Sequence, residues 1–188
     1  MCQPISNEKN EIYWLWLDSA YSILRSRVPD LLAYPSNLER AYAAAKQIVM
    51  ELWAIRAFFV KLGIGSDHLD KIVPNLKAFR DAIAHIDERA EGTMLVGKGT
   101  RTYLVPGQKS LAGGLLQSID GVHWTGFNYC YGLIGSKDGL WTTFGLIRDW
   151  VVTNTYQGVV ELHLNEDLFE KLDELYHLEK RQRKRSDF

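Results

Sequence analysis

The segment Arg80-Asp81-Ala82-Ile83-Ala84-His85 sets three side chains capable of chemistry within a short stretch. Histidine titrates near neutrality, so His85 can accept a proton and give it back. A planar guanidinium such as Arg80 can contact two phosphate oxygens at once and hold charge that builds there in a transition state. Asp81 can orient either partner. The spacing reads as a helix. Leu76, Phe79, Ile83 and Ile86 recur in steps of three and four and face a core, while Asp81, His85 and then Glu88 or Arg89 share another face. On an ideal helix Arg80 stands about 140° from His85, from roughly 100° per residue. The two converge only through a local kink, through the reach of the arginine, or across a symmetric dimer. An ordinary exposed face, with Asp81, His85 and Arg89 in i,i+4 pairs, fits the same spacing.

Other chemistry-bearing patterns are weaker. Gly92-Thr93-Met94-Leu95-Val96-Gly97-Lys98-Gly99-Thr100 approaches a phosphate-binding P-loop, but Gly99 stands where a hydroxyl must meet the metal ion. A helix precedes it and strands follow, the reverse of a P-loop, so it reads as a hairpin. The histidines (His68, His85, His123, His163 and His177) show no metal-ligand spacing. Glu161 and His163 share one strand face, but two ligands do not make a site, so no metal or other cofactor is expected. Cys130 lies in an aromatic segment and reads as a small buried hydrophobe. Trp124, Phe127, Tyr129, Tyr131, Trp141, Phe144 and Trp150 offer either a base-stacking platform or ordinary sheet packing. The basic run from Lys180 to Arg185 reads as a phosphate contact or as a solvated helix end.

The Arg80-Asp81-x3-His85 run resembles the motif of the HEPN (higher eukaryotes and prokaryotes nucleotide-binding) family: arginine, commonly a polar residue next, then histidine after four to six residues. The longer run Phe79-Arg80-Asp81-x3-His85-x-Asp87-Glu88-Arg89 also looks like the corresponding helix of bacterial members. The resemblance covers 11–89 and extends to 165–179. It implies a helical bundle, frequently dimeric, and a metal-independent endoribonuclease, a toxin or defence effector in some settings. On that reading His85 is the acid/base, Arg80 the phosphate binder and Asp81 the orienting group. The implied partners are RNA, a second copy as homodimer with Arg80 and His85 near the two-fold axis, and an antitoxin or other protein. The alternative is a non-catalytic HEPN-like binding or dimerisation module that uses the helix face or the aromatic strands for a partner or small ligand.

The elements that must position these residues differ in texture along the chain. Residues 11–89 carry helical periodicity. Ile12, Leu15, Trp16, Ser19, Ile23 and Leu24 form one stripe, and Pro29 and Pro35 punctuate the chain after it. A second helix, capped by Ser36 or Asn37, carries Leu38, Tyr42, Ala45, Val49, Leu52, Ile55, Phe59 and Leu62 to a left-handed end at Gly63. A third begins near Asp67, and Pro74 introduces a fourth over 75–89. Residues 92–164 turn aromatic, glycine-punctuated and poor in charge. Strands are predicted at 94–96, 102–105, 115–119, 122–131, 140–147 and 159–164, with Ser136-Lys137-Asp138-Gly139 as a hairpin turn. Asn165 caps a last helix with Leu168, Leu172, Leu175 and Leu178 inward. The expected class is α+β, a HEPN-like helical bundle with an inserted antiparallel sheet. The divisions are 1–91 for the first part of the bundle, 92–164 for the insertion, and 165–188 for the closing helix and basic tail.

Composition excludes several classes. With 188 residues and 46% hydrophobic content the chain can bury a core without disulfides, and its two cysteines make no framework. No apolar run approaches the roughly 20 residues of a membrane span, and Met1-Cys2-Gln3-Pro4 opens no signal-peptide pattern, so a cytoplasmic setting is expected. A net charge of -1 gives no global attraction to nucleic acid.

Overall fold

The structure is a computed structural model that describes residues 7–34, 36–85, 93–96, 100–103, 116–119, 122–125, 128–129, 131–136, 139–147, 149–155 and 158–186. Helix α1 (Asn7–Leu31) runs antiparallel to α2 (Leu38–Lys61) and makes the most extensive helix pair of the fold. The α2 ends are set by local chemistry. The Asn37 side-chain oxygen accepts from the Arg40 N–H at 3.0 Å. At the other end the Ile64 N–H bonds the Phe59 carbonyl and the Gly63 N–H the Val60 carbonyl, a Schellman closure that needs Gly63 at φ +75. Short α3 (Asp67–Ile72) and α4 (Leu76–Ala84) come next, separated by Pro74 and by Asn75, which takes the left-handed conformation at φ 60.

The strand block is antiparallel throughout its described residues. β1 (Thr93–Val96) pairs β2 (Thr100–Tyr103), and β3 (Leu116–Ile119), β4 (Val122–Thr125) and β5 (Asn128–Tyr129) form a second sheet. β6 (Tyr131–Ser136), β7 (Gly139–Ile147), β8 (Trp150–Thr155) and β9 (Gly158–His163) form a four-stranded sheet in that order. The hairpin signal places Ser136 opposite Gly139, and the P-loop-like run joins β1 to β2, with Val96 opposite Thr100. Strand β6 beyond Tyr131 and the whole of β8 lie outside the segments predicted as strand. The last helix, α5 (Glu166–Ser186), opens where the Asn165 side chain accepts from the Leu168 N–H at 3.1 Å. The architecture is α+β.

One core joins helices and sheet. Phe144 of β7 is fully buried and meets Tyr42 of α2 edge-on at 5.7 Å and Phe79 of α4 at 6.4 Å. Leu146, Val151 and Leu162 join Phe144 in the cluster of Leu17, Leu24, Ile48, Leu52 and Phe59. This burial fixes α4 between α2 and the four-stranded sheet.

Helix α5 is fastened to α1 by a reciprocal clasp. Asp18, Tyr21 and Arg25 on α1 repeat, spacing for spacing, as Asp173, Tyr176 and Lys180 on α5. Tyr21 donates to the Asp173 carboxylate, and Tyr176 donates to Asp18 at 2.6 Å. Arg25 reaches Asp173 at 3.5 Å and Lys180 reaches Asp18 at 2.9 Å, while the two tyrosine rings stack at 3.8 Å. Antiparallel helices carrying the same motif thus bind each other about a local pseudo-two-fold.

Four expectations need correction. On α1 only Leu24 of the expected stripe is buried. Trp14, Leu17, Ala20, Leu24 and Leu31 face the core, whereas Ile12, Leu15, Trp16 and Ile23 are exposed. Pro29 does not break α1, which continues to Leu31. Leu178 is 44% exposed, and Phe169 and Tyr176 complete the inner face of α5 in its place. The closing helix does not give way to a basic tail after Glu179: α5 continues through the basic run to Ser186, and Arg183 sits over the Trp14 ring at 5.3 Å.

Candidate functional site

Helix α4 is a short amphipathic segment. Leu76, Phe79 and Ala82 are buried and Ile83 packs against the core from its margin, which leaves Arg80 and Asp81 on a half-buried flank. The expected stripe therefore holds as far as Ile83; Ile86, Glu88 and Arg89 lie outside the described residues. The helix is shorter than expected. It stops at Ala84, and His85 is its C-cap at φ -122 and ψ 46, bonded through its N–H to the Asp81 carbonyl at 3.0 Å. The His85 side chain is exposed at this end. The angular separation of an unbroken helix thus does not apply to it.

Arg80 is held by its surroundings. Its guanidinium carbon lies 4.5 Å from the centre of the Trp53 ring of α2, and Nη2 meets Asp81 Oδ1 at 2.9 Å. Adjacent helical residues do not normally face each other, so the contact depends on the long arginine folding back. The side chain keeps 27% exposure, while Nε is buried and finds no acceptor among the described residues. The structure therefore brings Arg80 and Asp81 together on Trp53 and leaves His85 at the exposed helix end, linked to Asp81 through the backbone.

Trp53 serves a second cation. Arg56 lies over the same ring at 5.3 Å and forms a two-point pair with Asp70, Nε to Oδ1 at 2.6 Å and Nη2 to Oδ2 at 2.9 Å. Ser66 donates to the same carboxylate at 2.8 Å. The hydrogen bond from Arg56, then that from Ser66, holds the Asp70 carboxyl below its usual range, and the Arg56 guanidinium is raised in return. Each arginine on Trp53 thus brings its own carboxylate, and the patch is electrostatically balanced. Nothing in the sequence singles out Trp53. It lies 27 residues from Arg80 in the chain, and no periodicity reports such a contact.

The remaining candidates separate. Among the described residues no group of three His, Cys, Asp or Glu could hold a metal ion. The His163 ring of β9 lies 4.2 Å from Trp150 of β8. Of the aromatic strand residues, Phe144 is core. Phe127 and Cys130 lie outside the described residues, as do the side chains of Trp124, Tyr129, Tyr131 and Trp141. A groove of about 1030 Å³ opens between α1 and α5, lined by the apolar Val28, Leu31 and Phe169 and by Arg25, Asp149, Glu166, Glu170 and Asp173, of which Asp173 pairs with Arg25 at 3.5 Å. No described helix is long and apolar enough to cross a membrane. Compared with protein-family models, with curated proteins and with solved structures, the chain matches none.

Proposed function

We infer that the chain is a non-catalytic, HEPN-like binding module whose helical frame presents a helix face to a macromolecular partner. The observation that carries this reading is the engagement of Arg80. Its charge is met by Asp81 at 2.9 Å and its plane by Trp53 at 4.5 Å. A phosphodiester approaching Arg80 would have to displace one carboxylate, with the Arg56–Asp70 pair already on the same ring. Like-charge repulsion at a few ångströms opposes that approach. In this reading Arg80 braces α4 against α2.

A second reading, the metal-independent endoribonuclease, is favoured by the exposure of His85 and by the Arg80 Nε that lacks an acceptor among the described residues. There His85 exchanges the proton, Arg80 turns toward phosphate and Asp81 orients them, with RNA as substrate and an antitoxin as the natural restraint in a cytoplasmic setting. Incubation of mixed RNA with wild type and with His85→Ala, EDTA present, separates the readings. The binding reading expects no cleavage by either protein. Cleavage by wild type that His85→Ala loses, typically by 10²–10⁴-fold, would establish the ribonuclease.

A further inference from the structure

The groove between α1 and α5 has two unlike walls. From α1 come Val28, Leu31 and Leu32, at i, i+3 and i+4, and Leu32 is 74% exposed. From α5 come Glu166, Glu170 and Asp173, at i, i+4 and i+7, so that they share one face of the helix. Asp149, in the turn before β8, adds a fourth carboxylate, and its carbonyl accepts from the Leu164 N–H at 2.6 Å. Arg25 is the one cation among the described lining residues, and it is already engaged, by Asp173 at 3.5 Å and by the Phe169 ring at 5.8 Å. Asp149, Glu166 and Glu170 have no cation partner among the described residues. The C-terminal end of α1 and the N-terminal end of α5 meet here, so their dipoles oppose and the carboxylates set the sign of the groove.

We propose that this groove takes an amphipathic basic helix of a partner protein, laid along α5 with its apolar face on α1. Both walls are needed for that choice. An apolar ligand would cover three carboxylates without pairing them, which is costly. A polyamine would pair them and leave the apolar wall in water. A helix with lysine or arginine beside a leucine stripe meets both. Its bases at i and i+4 keep step with Glu166 and Glu170, because two helices side by side share one pitch. Two turns of a helix about 10 Å across occupy roughly 850 Å³, and the groove offers about 1030 Å³. Nucleic acid, an anion, is repelled by the same wall. The groove shares no lining residue with the Arg80–Trp53 flank, so this inference goes beyond the binding reading given for that flank, and RNA cleavage in the EDTA experiment bears on the flank alone.

The test is fluorescence anisotropy of the full chain with a labelled, helix-forming peptide of leucine and lysine. About 12 residues span the groove at roughly 1.5 Å per residue, with the leucines on one face and lysines at i, i+4 beside them. Wild type is expected to bind it with a Kd in the micromolar range that weakens as salt rises. Glu170→Lys and Leu32→Ser, both at exposed positions, are each expected to weaken binding roughly tenfold or more, with helical circular dichroism unchanged. Glu11→Lys makes the same change of net charge near the other end of α1 and is expected to leave Kd within about twofold. Glu166→Lys/Glu170→Lys is expected to reject the lysine peptide and bind its counterpart with glutamate in place of lysine. Failure of wild type to bind overturns the proposal, as does binding that Glu170→Lys or Leu32→Ser leaves unchanged. Equal binding of a lysine peptide without leucines, or of spermine, would reduce the groove to a diffuse negative charge and overturn it too.

Discussion

Asp173 is the acceptor on which half of the α1–α5 clasp depends. Replacing it with alanine strands the half-buried Tyr21 hydroxyl and releases Arg25. A hydrogen bond to a charged acceptor contributes about 1.5–3 kcal/mol. The Arg25 pair, at 3.5 Å with 41% and 33% exposure, is discounted for solvent screening to about 0.5 kcal/mol or less. The expected loss for Asp173→Ala is about 2 kcal/mol, or a fall in Tm of roughly 4–8 °C for a chain of this length. Tyr21→Phe should lose less, about 1 kcal/mol, because the carboxylate it abandons can hydrate. Denaturant unfolding of wild type, both single variants and the double variant gives the coupling, expected at about 1 kcal/mol. Lys171→Ala, in an exposed pair with Asp167, is the control and should stay within about 0.5 kcal/mol of wild type. An Asp173→Ala protein as stable as wild type, or strictly additive variants, would refute the clasp.

The same contacts carry three further expected outcomes. Burial, and then the hydrogen bond to Asp173, raises the Tyr21 hydroxyl above its ordinary 10.0. Its contribution is therefore complete below pH 10 and lost above it, so the stability gap between wild type and Tyr21→Phe should narrow as pH rises beyond 10; a constant gap would count against this. Asp70 is held below the ordinary 3.8, chiefly by the hydrogen bond from Arg56, so its contribution is present above that pH and lost below it. Asp70→Asn should cost about 1 kcal/mol at neutral pH after discounting for exposure, and the cost should fade in acid titration below pH 4. Phe144→Ala should cost about 3–5 kcal/mol, since it opens a cavity where β7, α2 and α4 meet. A loss under about 1 kcal/mol would mean that the sheet does not share the helical core.

Local chemistry was legible in the sequence wherever one or two residues decide the structure. Asn37, Gly63 and Asn165 mark helix ends, and Ser136 and Gly139 frame a hairpin, because a cap or a turn is settled by its own side chains and φ angles. Faces were harder to read. Helix α1 is apolar on two sides, so Ile12–Leu15–Trp16–Ile23 and Leu17–Ala20–Leu24 both satisfy helical spacing, and only packing decides which side goes in. Strand β8 escaped because Thr153-Asn154-Thr155 weakens its apolar pattern, although Val151 and Val152 are fully buried. The site was legible in part. Arg80, Asp81 and His85 were marked by type and spacing, but the end of α4 before His85 and the seat of Arg80 on Trp53 depend on tertiary contacts. The clasp did leave a signal, the repeated Asp-x2-Tyr-x3-Arg/Lys spacing, too short to stand out until the two helices meet.

The central claim is that the fold itself engages Arg80, and a double-mutant cycle between Arg80→Met and Trp53→Leu measures this most directly. Both substitutions keep much of the side-chain bulk, so the cycle isolates the guanidinium–indole contact from the cost of the buried Nε. Unfolding of the four proteins should give a favourable coupling of about 0.5–1 kcal/mol, as expected for a half-buried cation on an indole face. Additive effects within about 0.3 kcal/mol would show that Arg80 is not held there. They would contradict the brace and return the arginine to phosphate chemistry.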